Sequence, residues 1–127
     1  MCTSQITQPL NISANDSRKT EKNMNDDILS ALIREIREFA DKRDWQKFHT
    51  PKNLAMAIAG EAGELAAEFQ WLTPEESMQD SLTPDQREAI TQEIADVQIY
   101  LLRLVDVLGV DLPSAVREKM KFNNRRF

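Results

Sequence analysis

The sequence predicts an all-α domain, and three observations lead to this fold class. The chain has 127 residues, which is enough for one domain with its own core. From residue 28 onward its apolar residues recur at helical spacing, and no segment shows the strict alternation of a β-strand. Three glycines and five prolines are too few for the many turns of a β-sandwich or barrel. We therefore expect a bundle of about four helices.

The N-terminal segment, residues 1–26, differs in composition from the rest of the chain. It is polar with scattered apolar residues, so we expect a flexible tail, or an arm that docks on a partner subunit. The helical domain is expected at 27–127. Asn25 or Asp26 can cap its first helix, whose apolar periodicity fades near Trp45.

Threonine–proline pairs mark the starts of the next elements. Thr50-Pro51 reads as the N-cap and first residue of a second helix. Thr73-Pro74-Glu75-Glu76 should stop that helix and open a short turn, since Thr-x-x-Glu is a capping box. Thr83-Pro84-Asp85-Gln86 has the same Thr-Pro capping signal and marks the start of a third helix. Gly109 suits the end of that helix, and Asp111 can cap a fourth.

The charge balance limits the classes of function. Acidic residues outnumber basic ones by 21 to 16, for a net charge of −5, so a generic nucleic-acid binder is not expected. Cys2, the one cysteine, excludes an internal disulfide and a cysteine-based zinc site. The sequence shows neither a membrane span nor a signal peptide. A cytoplasmic protein without a membrane partner is expected.

Two predicted helices each carry a pair of acidic residues at i, i+3. Glu61 and Glu64 lie on the second helix, Glu93 and Asp96 on the third, and each pair borders the apolar stripe. Ionised carboxylates beside a core face are costly unless they are paired, and two facing pairs would repel each other. A divalent cation removes both problems, and carboxylate oxygens suit Mg²⁺ or Mn²⁺. The alternative, a solvated acidic face, stays open at this point.

Two neighbouring features bear on this metal hypothesis. Gly60 and Gly63 weaken the second helix, and a close approach of another backbone or of a ligand would explain them. His49 is the only histidine, so a di-iron bundle with paired Glu-x-x-His motifs is excluded. A magnesium site that meets substrate phosphates fits better.

The predicted fourth helix is basic. Lys119, Asn123 and Arg126 share one of its faces and could donate hydrogen bonds to phosphate oxygens. The alternative is a solvated helix end, where cations complement the helix dipole.

Aromatic residues are few, at 6%, and several lie near the acidic second helix. Trp45 and His49 precede that helix, Trp71 is placed at its end, and Tyr100 lies on the third helix on the side of Glu93. Such side chains can stack on a nucleobase, or they can simply cap the core.

These residues together resemble the MazG-like nucleoside triphosphate pyrophosphohydrolases, and most closely their dCTP pyrophosphatase branch, over residues 28–127. The motifs that carry the resemblance are Arg43-Asp44-Trp45, Phe48-His49-Thr50-Pro51, Gly60-Glu61-Ala62-Gly63-Glu64-Leu65, Phe69-Gln70-Trp71, Glu93-Ile94-Ala95-Asp96-Val97, Tyr100-Leu101, Lys119, Asn123 and Arg126. Glu-x-x-Glu is followed by a second acidic motif, Glu-x-x-Asp, on the next long helix. The two motifs together make the match more specific than a single acidic pair would.

The resemblance implies a four-helix bundle assembled as a homodimer or as a dimer-of-dimers homotetramer. It also implies Mg²⁺-dependent cleavage of dCTP, or of a related or modified dNTP, to the monophosphate and pyrophosphate, as in house-cleaning of the nucleotide pool. The implied site residues are Glu61, Glu64, Glu93 and Asp96 as metal ligands, Lys119, Asn123 and Arg126 as phosphate contacts, and Trp45, His49, Trp71 and Tyr100 around the base and sugar. Glu61 or Glu64 would orient the attacking water.

The sequence departs from the family pattern at two places. Ile36 stands where the animal dCTP enzymes carry a histidine near the base, which leaves dUTP, dATP or an oxidised dNTP open as substrate. Phe127 comes before the usual Tyr-Pro-type ending, so a C-terminal lid that is abbreviated or cut is expected. An alternative from another class is a helical interaction module, in which the acidic edges aid solubility and the apolar stripes form an oligomer interface.

Overall fold

The computed structural model describes the backbone of residues 14–127 and the side chains of residues 28–127. Within this range the chain forms four α-helices and a single 3-10 turn, with no β-strand, which confirms the predicted all-α class. The elements are α1 (Ala14–Asp41), α2 (Pro51–Phe69), the 3-10 turn (Gln79–Ser81), α3 (Pro84–Leu108) and α4 (Leu112–Arg126). No helix in the described part of the chain has both the length and the apolarity to cross a membrane.

The first helix begins at Ala14, earlier than the apolar pattern predicts. Asn25 and Asp26 lie inside α1, so their prediction as N-caps was wrong. Apolar periodicity detects only the part of a helix that has an apolar face, and the polar start of α1 carries no such signal. The prediction for residues 1–13 falls outside the described residues, and the flexible-tail assignment of residues 1–26 stays a prediction. Leu32–Phe127 forms one structural unit, which contains everything described below.

The two helices that carry the acidic pairs both begin at a threonine cap, as predicted. The backbone amide of Asn53 donates to Thr50 Oγ1 at 3.2 Å, with Pro51 as the first helical residue. At the start of α3 the capping box is complete. The backbone amide of Gln86 donates to Thr83 Oγ1, and the backbone amide of Thr83 donates to the side-chain oxygen Oε1 of Gln86 at 2.9 Å. These bonds satisfy amides that the first helical turn leaves without partners.

The remaining predicted signals are also found. Gly109 ends α3 with φ of 64°, a left-handed conformation that favours glycine. Asp111 caps α4 by accepting a hydrogen bond from the Ser114 amide at 3.1 Å. Thr73 and Glu76 form the predicted reciprocal pair after α2, and a turn rather than an α-helix follows it. The hydrogen bond from the Thr73 backbone lowers the pKa of Glu76.

The core lies where α2 packs along α3. Leu54 of α2 is buried here, together with Ile90, Leu102 and Val105 of α3. Near the end of α1, Ala40 is also buried. By contrast, α4 contributes no buried side chain. Three of its apolar residues are about half exposed, namely Val116, Met120 and Phe122.

Leu54→Ala should destabilise the fold strongly, because Leu54 is only 1% exposed and truncation leaves a cavity between α2 and α3. We expect the free energy of unfolding to fall by about 2–5 kcal/mol, as for other buried leucines. Urea denaturation followed by circular dichroism measures this loss. The matched control is Met56→Ala on the same helix, where the side chain is 66% exposed and the change should be small. Equal losses in both variants would contradict the assignment of Leu54 to the core.

Candidate functional site

Three carboxylates from the two packed helices converge on one point. Glu61 and Glu64, one turn apart on α2, meet Glu93 of α3, and one oxygen from each lies within 4.8 Å of the others. The three-residue spacing directs both α2 side chains to the same side of the helix. The packing of α3 against α2 supplies the third group. We call this group the carboxylate cluster.

Two oxygens of the carboxylate cluster are buried without a hydrogen-bond donor. Glu61 Oε2 and Glu93 Oε2 accept no hydrogen bond from any described residue, whereas Glu64 is exposed at the edge. Buried polar atoms in folded proteins almost always have partners, because leaving one without a partner is costly. A divalent cation would satisfy both oxygens, and an all-oxygen set suits Mg²⁺ or Mn²⁺. The residues present therefore fit a magnesium ion.

The carboxylates also perturb one another. Burial raises the pKa of Glu61, and the charges of Glu64 and Asp96 raise it further. Burial likewise raises the pKa of Glu93, with added contributions from the charges of Glu64, Asp96 and Glu68. Both shifts mean that the charged forms lie in an unfavourable negative field, which a cation would reverse.

The fourth predicted metal ligand, Asp96, lies outside the carboxylate cluster. It is one turn beyond Glu93 on α3 and lines an adjacent cavity, but its charge still acts on Glu61 and Glu93. The two glycines beside the cluster do not have the expected close neighbour in this chain. Apart from the adjacent residues and the nearby backbone of α2 itself, a Cβ atom built at Gly60 or Gly63 meets no described atom within 4 Å.

An aromatic cavity of about 240 Å³ adjoins Asp96. Its walls come from α1, the turn before α2, and α3, and they include Trp45, His49 and Tyr100, which had been predicted around the base and sugar. The Trp45 ring meets the His49 ring edge-on at 6.0 Å between centroids. Trp71 is absent from these walls: α2 ends at Phe69, and Trp71 lies in the following turn with 87% of its surface exposed.

A chain of polar contacts that begins in the cavity wall was not predicted. Arg103 of α3 is only 6% exposed, and its Nε donates to His49 Nδ1 at 3.1 Å. Its Nη1 donates to Asp106 Oδ2 at 3.1 Å, and Arg37 of α1 binds the same carboxylate through two donors. The hydrogen bond from Arg37 lowers the pKa of Asp106 and raises that of Arg37. One signal existed in the sequence, an arginine inside the apolar run 101–105.

The predicted phosphate contacts all lie on α4, which contributes no carboxylate to the cluster. Lys119 and Arg126 are exposed and Asn123 is half-buried. Each of the two cations lies near an aromatic ring: Lys119 Nζ is 4.6 Å from the centroid of Phe122, and the Arg126 guanidinium is 5.1 Å from that of Phe127. Their role toward phosphate stays a prediction.

Comparison with known proteins gives three concordant results. The profile of the MazG-like family matches residues 56–127. Two curated relatives carry the same name: dCTP pyrophosphatase 1 of Homo sapiens is 49% identical over 90 residues, and that of Bos taurus is 48% identical over the same length. Each match covers 71% of this chain and 53% of the relative, so the chain spans about half the length of these relatives.

The third result concerns a solved structure. A pyrophosphatase from Archaeoglobus fulgidus DSM 4304 superimposes with a TM-score of 0.71 at 42% sequence identity. The match covers 77% of this chain and 90% of the archaeal chain.

Proposed function

The chain belongs to the MazG-like family, and from this premise we propose that it is a magnesium-dependent nucleoside triphosphate pyrophosphohydrolase. Its proposed substrate is dCTP or a related or modified dNTP, which is cleaved to the monophosphate and pyrophosphate. The observation that carries the proposal is the carboxylate cluster, in which two buried oxygens lack a donor, next to an aromatic cavity. The names of the curated relatives support the choice of dCTP.

In this proposal Glu61, Glu64 and Glu93 hold the metal, with Asp96 contributing from the neighbouring turn. Bound magnesium, for which manganese could substitute, supplies positive charge that neutralises the triphosphate and makes the α-phosphorus more electrophilic. Glu61 or Glu64 orients the attacking water by accepting a hydrogen bond from it.

The remaining site residues bind the rest of the nucleotide. Lys119, Asn123 and Arg126 would donate hydrogen bonds to phosphate oxygens on the side of the leaving pyrophosphate. The base and sugar would enter the cavity, whose aromatic walls offer stacking surfaces. Trp71, exposed in the turn after α2, would add a further surface from outside the cavity.

The proposal includes self-association as a homodimer or homotetramer. It is supported by α4, which has no buried side chain in this chain and leaves Val116, Met120 and Phe122 about half exposed. No nucleic-acid or membrane partner is proposed. The cytoplasmic location stays a prediction from composition.

Release of pyrophosphate from a panel of nucleotides tests the proposal. The purified chain is incubated with each natural dNTP and with modified dCTP and oxidised dNTP analogues, with and without Mg²⁺. We expect magnesium-dependent release, with dCTP or a modified form of it among the substrates. Preference for dUTP, dATP or an oxidised dNTP would revise the substrate but keep the reaction. No release from any nucleotide would contradict the proposal and favour a helical interaction module.

A further inference from the structure

The hydrogen bond between Arg103 and His49 determines which imidazole nitrogen carries the proton. Arginine stays protonated in proteins and its Nε–H can only donate, so its partner must be an acceptor. Here the partner is His49 Nδ1, 3.1 Å away. A neutral imidazole has one bare nitrogen and one N–H. With Nδ1 bare, the proton of neutral His49 must be on Nε2.

Arg103 is itself held in place from both sides. Its guanidinium is buried, and it donates to Asp106 one turn along α3. Asp106 in turn accepts from Arg37 Nε of α1 at 2.8 Å. Hydrogen bonds in which a partner is charged are the strong ones, and a buried charge keeps its position only when it is paired. The contacts therefore run from α1 through α3 to the turn that carries His49.

The surroundings of His49 favour its neutral form, and the ring lines the cavity. The ionisable groups that share the cavity walls with it, Asp96, Tyr100 and Arg103, all come from α3, while α1 contributes only apolar side chains. Burial lowers the pKa of His49, and the charge of Arg103 lowers it further. Because Arg103 occupies Nδ1, the one hydrogen-bonding group that the ring has left is the Nε2–H donor.

We propose that Arg103 is a positioning residue that holds His49 as its Nε2–H tautomer, so that the cavity selects a nucleoside through a hydrogen-bond acceptor atom. The inference rests on the proposed function for its ligand, a nucleotide. It goes further by assigning a hydrogen-bond acceptor, rather than a donor, to the atom of the nucleoside that His49 recognises. The hydrogen bond from Arg103 fixes Nε2–H as the donor of His49. Such a site rejects a ligand that offers a hydrogen-bond donor at the same position, since two N–H groups would then face each other.

The tautomer is tested directly by NMR, without any substrate. His49 is the only histidine, so the imidazole ¹⁵N signals of uniformly labelled protein belong to one side chain. At a pH where the ring is neutral, we expect one protonated nitrogen, Nε2, and one bare nitrogen, Nδ1. In Arg103→Met the two tautomers should mix, whereas Arg87→Met, an exposed position on the same helix, should leave the wild-type pattern. A proton on Nδ1, or mixed tautomers in the wild-type chain, would overturn the proposal.

Two substitutions of His49 test the acceptor preference. The glutamine amide can place its nitrogen near the Nε2 position, whereas the asparagine amide reaches only to the Nδ1 position. His49→Gln should therefore retain substrate binding better than His49→Asn, with KM for Asn raised by about tenfold or more relative to Gln and kcat changed less. Equal KM values in the two variants would overturn the role of the Nε2–H donor.

The outcomes separate this inference from the function itself. If no nucleotide is hydrolysed, the proposed function fails, and the NMR result still decides which tautomer Arg103 imposes. If hydrolysis occurs but the wild-type ring shows mixed tautomers, the function stands and the positioning role fails. Should Arg103→Met not fold, the wild-type spectrum and the Gln–Asn comparison still decide the question.

Discussion

Glu61→Gln is expected to lower kcat/KM for triphosphate hydrolysis by about a thousandfold, because it removes a charged ligand from the carboxylate cluster. A catalytic metal contributes several kcal/mol of transition-state stabilisation, and each 1.36 kcal/mol corresponds to a factor of ten in rate. Glu93→Gln should have a similar effect, since both side chains have a buried oxygen that lacks a donor. Initial rates of pyrophosphate release at saturating Mg²⁺ measure the loss.

The control for this prediction is Glu88→Gln, which neutralises an exposed carboxylate on α3 outside the cluster. Its rate should remain near that of the wild-type chain, and circular dichroism should show equal helix content in all three variants. Retention of more than about a tenth of the wild-type rate in Glu61→Gln would mean that this side chain is not a metal ligand.

Removal of magnesium is the second large effect that we expect. Excess EDTA should reduce hydrolysis to the background rate, because the carboxylate cluster alone would repel a triphosphate. Saturating Mg²⁺ should also raise the melting temperature of the wild-type chain, since a ligand that binds only the folded state stabilises it. Glu61→Gln should show a much smaller increase. Hydrolysis of dCTP in EDTA as fast as in magnesium would contradict the metal role.

The pH dependence of the melting temperature of the metal-free chain tests the carboxylate cluster independently of activity. The pKa values of Glu61 and Glu93 are raised above the ordinary value of 4.5, so the folded state binds these protons more tightly than the unfolded state. Their stabilising contribution is complete below that value and is lost as pH rises through the raised pKa. Glu61→Gln removes one such group, so its melting temperature relative to wild type should increase between about pH 4.5 and neutrality. A constant difference would show that Glu61 has no raised pKa.

Much of the fold could be predicted because its signals are local. The Thr50, Thr83 and Asp111 caps and the left-handed Gly109 depend on residues a few positions apart. Helical periodicity also predicted that Glu61 and Glu64 lie together on the side of α2 that faces α3. The early start of α1 had no such signal, because its polar first part lacks an apolar stripe.

The unpredicted part of the site depends on contacts between distant residues. Arg103 and His49 are 54 positions apart, and Arg37 and Asp106 are 69 apart, so only the packing of the helices brings them together. Trp71 was placed at the end of α2 by extending the helical pattern beyond the last helical residue. Its exposure in a turn, away from the cavity, could not be read from spacing alone.

The positions of Glu61 and Glu93 within their helices have an evolutionary consequence. Each lies more than two turns from either end of its helix, so neither depends on the course of the connecting segment 70–83. That segment carries Trp71, and surface connections tolerate insertions and sequence change. In the proposed function, substrate preference can therefore diversify by changes in this connection while the carboxylate cluster keeps its place, which separates the evolution of recognition from that of chemistry.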